Sequence, residues 1–177
     1  MNIAIFILFF IFVSLFFGAL FEAPWLPTRK KDYHRIAELT ELRPDTLFYD
    51  LGSGTGGMLF YLSRKYDANC IGIEISPVLY FYSKIKSLFY KKVNIKYGDF
   101  LKYDLSKADI IYAFLLPENF EKLKKKIDTE AKNGAKLILS CWPLKDDNSI
   151  RISKKEGEIS YYVYITQKEG LRTKRSP

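Results

Sequence analysis

The stretch Thr46-Leu47-Phe48-Tyr49-Asp50-Leu51-Gly52-Ser53-Gly54-Thr55-Gly56 decides the fold of this chain. The apolar run from Thr46 to Tyr49 reads as a strand, and Met58 to Tyr66 reads as a helix. Between them lies a glycine-rich turn. Glycine has no Cβ and accepts positive φ, so such a turn lets backbone come close to a ligand. Asp50 stands two positions before the first glycine, at the strand's carboxyl end. A ligand that carries an amino group and a ribose suits that acid better than one that carries a pyrophosphate.

Outward from this turn, strands and helices alternate. Strands are expected over Thr46 to Asp50, Asn69 to Ile75, Val93 to Tyr97, Asp109 to Leu115 and Ala135 to Cys141. A helix is expected after Ser76-Pro77, with serine as N-cap and proline at the first helical position. It runs to about Tyr90, with Leu79, Tyr82, Ile85 and Leu88 at core-compatible spacing. Pro117 opens another helix to about Lys132, with Gly134 as its C-cap. The run from Ser149 to Ser153 and the run from Ile159 to Thr166 read as two further strands. The expected fold is α/β: a Rossmann-like, mainly parallel sheet with helices on both faces and a C-terminal antiparallel hairpin.

Upstream, Asp32 is expected to cap a short helix to about Leu42, and Pro44-Asp45 forms a turn. From Ile3 to Phe21 the chain is uncharged and apolar apart from Ser14 and Gly18. A helix of that length reaches about 28 Å, close to one bilayer core. A cleaved signal peptide fits less well, because no positive charge precedes the apolar run. Trp25 takes the place of an interfacial anchor. Arg29, Lys30 and Lys31 put the C-terminal side in the cytoplasm. The expected organisation is a transmembrane anchor over 1–23, a juxtamembrane segment over 24–44, one enzymatic domain over 45–167 and a basic tail over 168–177.

At 177 residues the chain suits one domain with its own core. The net charge of +8 fits an anionic partner, and a membrane lipid surface is the first choice. Nucleic acid is less favoured, because basic charge alone has poor specificity. Lys122, Lys124, Lys125 and Lys126 read as a solvated helix face. Cys70 and Cys141 read as reduced core residues, and with a single histidine, His34, no Cys/His metal site is expected.

Ligands of open α/β sheets sit at the carboxyl ends of the strands. Asp50, Glu74 and Asp99 fall there in succession. S-adenosylmethionine (SAM) gives each a task. Asp50 faces the methionine ammonium, Glu74 accepts from the ribose hydroxyls, and Asp99 accepts from the adenine amine. Ile75 or Phe100 covers the adenine face. The backbone of Gly52, Ser53, Gly54 and Gly56 passes beside the cofactor. Solvated strand ends are the plain alternative, and three in a row after a glycine loop weaken it. Gly52, Gly54 and Gly57 also fit GxGxxG, but Asp50 occupies a position that is apolar in dinucleotide sites. The lysine-bearing phosphate loop is excluded, since no Gly-Lys-Ser/Thr follows.

The segments DLGSGTG, GIEIS and GDF resemble class I SAM-dependent methyltransferases from Leu47 to about Trp142. A narrower likeness rests on Pro24-Trp25-Leu26-Pro27-Thr28 and on Tyr112-Ala113-Phe114-Leu115-Leu116-Pro117-Glu118. Both are similar to segments of small protein-lysine methyltransferases of the ATP synthase c-subunit type. That resemblance implies a role for Thr28 at the cofactor, and for Phe114 and Leu115 in positioning the acceptor. In this chain Phe114 stands where such enzymes usually carry tyrosine. The expectation is a membrane-anchored methyltransferase acting on a protein lysine, with a membrane protein as one candidate substrate. A small-molecule or lipid methyltransferase is the alternative, and a non-catalytic SAM-binding scaffold is the other.

Overall fold

A computed structural model describes residues 3–21, 27–145, 149–154, 156–167 and 170–171, with the side chains of 14–21 and 170–171 excepted. Five parallel strands form the centre: β1 (Leu47–Leu51), β2 (Asn69–Glu74), β3 (Val93–Tyr97), β4 (Ile110–Ala113) and β5 (Lys136–Ser140). The expected C-terminal hairpin is β6 (Arg151–Ser153) and β7 (Tyr161–Gln167). β7 lies antiparallel to β5, which gives the order β3-β2-β1-β4-β5-β7-β6. A two-residue β8 (Gly170–Leu171) pairs with the end of β7.

The strand order reverses between β1 and β4, and the helices follow it. Helices α2 (Lys30–Thr40), α3 (Gly57–Tyr66) and α4 (Pro77–Ser87) lie on one face, and α5 (Phe120–Glu130) lies on the other. Strand alternation sorts the core accordingly. Phe48, Cys70, Tyr112, Ile138 and Tyr161 face α2 and α3, whereas Tyr49, Ile73, Ile111, Leu137 and Tyr162 face α5. β4 is buried along its whole length, as expected for a strand covered on both sides.

Several local expectations are corrected. Arg29, not Asp32, is the N-cap of α2. Asp32 sits in the first turn, buried, and pairs with Arg29 at 3.1 Å and Arg35 at 3.7 Å. Gly134 is not a C-cap, because α5 ends on Ala131; it turns the chain into β5 with φ 81°. Lys126 is buried rather than solvated, and its ammonium is held by Glu130 at 2.6 Å. The largest difference concerns α4. Its inward face is Ser83 and Ser87, while Tyr82, Ile85 and Leu88 are 55%, 63% and 77% exposed. Small side chains let α4 sit close to the sheet, and Ser83 and Ser87 return their hydroxyls to backbone carbonyls of their own helix.

The first helix, α1 (Ile3–Phe21), occupies the apolar stretch as expected. A membrane crossing by residues 1–23 is nevertheless not supported, since among the described residues no helix is long and apolar enough to cross a membrane. Trp25 and nearly all of the basic tail over 168–177 lie outside the described residues.

Candidate functional site

The carboxyl ends of β1 and β2 create the first half of the site. Gly52 leaves β1 with φ 86°, a conformation that favours glycine, and a Cβ built there would point into open space. Gly52 N–H and Ser53 N–H both donate to the Ile73 carbonyl, at 2.9 and 3.0 Å, so the turn is tied to β2. Glu74 completes the tie. One carboxylate oxygen accepts Gly54 N–H at 2.6 Å, and the other accepts Ser76 N–H at 2.7 Å. The loop can press this closely on β2 because residue 72 is glycine. A Cβ at Gly72 would lie 2.6 Å from Ser53 Oγ and 2.7 Å from Leu59 Cδ1. A glycine inside a strand often marks such an approach, so the signal was present in the sequence and was missed.

Charge at this end of the sheet is concentrated. Asp50 and Glu74 are each only 5% exposed. Burial, with the neighbouring Glu74 carboxylate, pushes the Asp50 carboxyl up to about 8. Burial also raises Glu74, against the lowering effect of its backbone N–H donors. Asp50 receives no hydrogen bond among the described residues, and Ser53 Oγ is buried without a partner. Two acids under mutual repulsion, an orphaned hydroxyl and open space before Gly52 together fit a cationic, hydrogen-bonding ligand. SAM meets that description through its sulfonium and its ammonium.

The remaining expected cofactor residues divide. Asp99 is half-buried, and one of its oxygens accepts Leu101 N–H at 2.8 Å, which caps a short turn of helix. Ile75 is half-buried just past β2. Phe100 is not: it is buried in the core on the α5 face.

The second half of the site lies at the ends of β4, β5 and β7, beneath α2. Thr28 Oγ1 and Tyr112 Oη are 2.8 Å apart, and Tyr112 Oη and Ser140 Oγ are 2.7 Å apart. Burial drives the Tyr112 phenol well above its ordinary value, so it stays protonated. This hydroxyl chain was not foreseen, because its members are 28 and 84 residues apart. The hydroxyl of Tyr161 is buried in the same region without a hydrogen-bond partner among the described residues. Arg35 fixes α2 over it. Its guanidinium stacks 4.8 Å from the Tyr161 ring centre and donates to Ser153 Oγ at 2.7 Å, the Ile159 carbonyl at 2.8 Å and Glu158 at 3.2 Å.

Of the two expected acceptor residues, the structure brings one to this surface. Phe114 is half-buried and faces Trp142, ring centres 6.4 Å apart. Leu115, the next residue, points through the sheet into the α5 core and cannot line the site. His34 is exposed on α2, between Tyr66 and Glu38.

Residues 50–151 match the family model of the ANTKMT methyltransferase domain. The chain is similar to a protein-lysine N-methyltransferase of Saccharolobus islandicus (strain REY15A), 27% identical over 81% of this chain and 92% of that one. It is also similar to the Homo sapiens lysine N-methyltransferase of the ATP synthase c-subunit, 24% identical over 68% of this chain, and spans about half (52%) of that relative's length. Among solved structures, an RNA methyltransferase from Salinibacter ruber in complex with S-adenosyl-L-homocysteine shares the fold. The TM-score is 0.75 at 24% identity, covering 86% of this chain and 97% of that one. The acids and the glycine turn thus stand in a known setting, and the chain belongs to the ANTKMT methyltransferase domain family of SAM-dependent enzymes.

Proposed function

We propose that this protein transfers a methyl group from SAM to a lysine side chain of a protein. The observation that carries the reading is the Phe114–Trp142 pair at the carboxyl ends of β4 and β5, beside the buried acids. Two half-open aromatic faces suit an aliphatic lysine stem and a methylated ammonium product. The names of the archaeal and human relatives support the same acceptor. When bound, SAM supplies an electrophilic methyl on a positive sulfur.

A lysine must lose a proton before its lone pair can take that methyl. At pH 7 this costs about 4.6 kcal/mol. Partial desolvation between Phe114 and Trp142 favours the neutral amine, with the proton passing to solvent. Tyr112 and Ser140 keep the floor of this region polar but uncharged. The residues otherwise act by positioning.

Membrane placement belongs to the same proposal. α1 exposes Ile3, Phe6, Phe9 and Phe12, each more than half open. We place the apolar stretch over 1–23, part of which lies outside the described residues, in a bilayer as a single-pass anchor, with the catalytic domain on the cytoplasmic side, where anionic lipid meets the basic chain. The test uses labelled SAM with membrane and soluble fractions, with and without the enzyme. Label on a protein band, mapped to lysine by mass spectrometry, is the expected result. Label confined to lipid extract or to small molecules would overturn the lysine reading.

A further inference from the structure

We infer that the outer face of α4 is a second membrane contact, a lipid-binding stripe that lays the domain against an anionic bilayer surface. The inference rests on the membrane placement of α1. Phe81, Ile85 and Leu88 recur at helical spacing, with Tyr82 and Phe89 beside them, at 59%, 63%, 77%, 55% and 83% exposure. Apolar groups this large and this open, on one face of α4 and the turn that follows it, are costly in water and mark a contact surface.

The charge around the stripe identifies the contact. Between Glu74 and Asp99 the chain has five lysines, Lys84, Lys86, Lys91, Lys92 and Lys96, and no acid. Lys86 arches over the Phe60 ring, 4.9 Å from its centre, and Lys84 reaches back to the Ile95 carbonyl at 3.3 Å, so both line the border of the stripe. An open cleft of about 470 Å³ adjoins Phe89, with Arg64, Lys91 and Lys92 on its walls. Its one acid, Asp67, is paired with Lys92 at 2.8 Å, and Lys92 also meets Asp45 at 2.9 Å, so the cations the cleft offers a ligand are Arg64 and Lys91. An aromatic and aliphatic face bounded by lysines is the pattern of a helix that rests at the headgroup boundary. A protein groove with an apolar helix-binding face would not require the five lysines that the chain carries between Glu74 and Asp99. α1, itself apolar, packs beside α4, so the two surfaces reach one bilayer together.

The α3 and α4 face would then lie toward the lipid, with Phe89 and its cleft at the amino ends of β2 and β3, the end of the sheet opposite Phe114 and Trp142.

The test uses the full chain in phosphatidylcholine–phosphatidylserine vesicles that carry spin-labelled lipid as a quencher. A C141S background leaves the buried Cys70 unlabelled, and an environment-sensitive fluorophore is placed singly by Ile7→Cys, Leu88→Cys or Lys125→Cys. Lys125 lies exposed on α5, on the opposite face. Quenching at positions 7 and 88 but not at 125 is expected, with the signal at 88 reduced when phosphatidylserine is left out. Quenching at 7 alone would overturn the α4 contact and leave the α1 reading intact. No quenching at either would overturn both. A shielded but unquenched probe at 88 that follows protein concentration would also overturn the inference, in favour of a second copy of the chain.

Discussion

The β1–β2 half of the site and the β4–β5–β7 half are built differently. In the first, every tie is short in sequence. Gly54 and Glu74 are 20 residues apart, joined by α3 and β2 alone. In the second, Thr28 meets Tyr112 across 84 residues, and Arg35 meets Ser153 across 118. The first half is thus set by local chain chemistry. The second forms only when α2 and the C-terminal hairpin have both docked.

Removal of the Arg35 guanidinium should separate the halves most sharply. Arg35→Ala leaves the buried Asp32 with Arg29 as its remaining partner and frees the hairpin. A loss of about 4 kcal/mol in stability is expected, read by denaturant unfolding. In the fraction that stays folded, methyl transfer should fall more than SAM affinity. An equal fall in both would erase the distinction.

Glu74→Ala strikes the other half. The loop loses two charge-assisted hydrogen bonds, and SAM binding should weaken by about 100-fold, or ~2.7 kcal/mol. Calorimetry on a variant with native circular dichroism checks this. Unchanged affinity would remove Glu74 from the site.

Asp50 gives a smaller, graded effect. Its folded pKa, about 8, lies above the unfolded value. The folded chain therefore holds this proton more tightly than the unfolded one. The stability this group contributes is full below about pH 4 and declines as pH rises to 8. A cationic ligand prefers the ionised form, so SAM affinity should move the other way. It should rise by up to about tenfold per pH unit between about 6 and 8 and then level off. Asp50→Asn should abolish that slope; a slope that persists would assign it to another group. Smallest is Tyr112→Phe, which removes a shared hydroxyl and leaves Thr28 and Ser140 without it. A cost of about 1 kcal/mol is expected. A cost near zero would show that the hydroxyl chain holds nothing in place.

The same contrast explains what the sequence revealed. The glycine turn, all five parallel strands and the acids at their tips were legible, because each depends on neighbours in the chain. The Thr28–Tyr112–Ser140 chain was not, since no periodicity links residues so far apart. Leu115 was read as a site residue from the resemblance and Phe100 from its place after strand three, yet strand alternation and the turn after β3 send them into the α5 core. The face of α4 was misread for a different reason. Hydrophobicity alone favours burying Ile85 and Leu88, whereas close helix–sheet approach selected Ser83 and Ser87. The exposed remainder points to a surface that contacts something other than this chain.

One arrangement of the sheet has a consequence for handling the protein. Its two margins are poor templates for other chains: β3 carries Lys96 outward, and β6 is only three residues long and bears Arg151. Between the apolar β5 and solvent stands β7, held in part by Arg35. Proteolysis or truncation that strips away the hairpin would bare Leu137, Ile138 and Leu139 as an unpaired ribbon. Such fragments should assemble strand to strand into insoluble polymers rather than persist as weakened monomers.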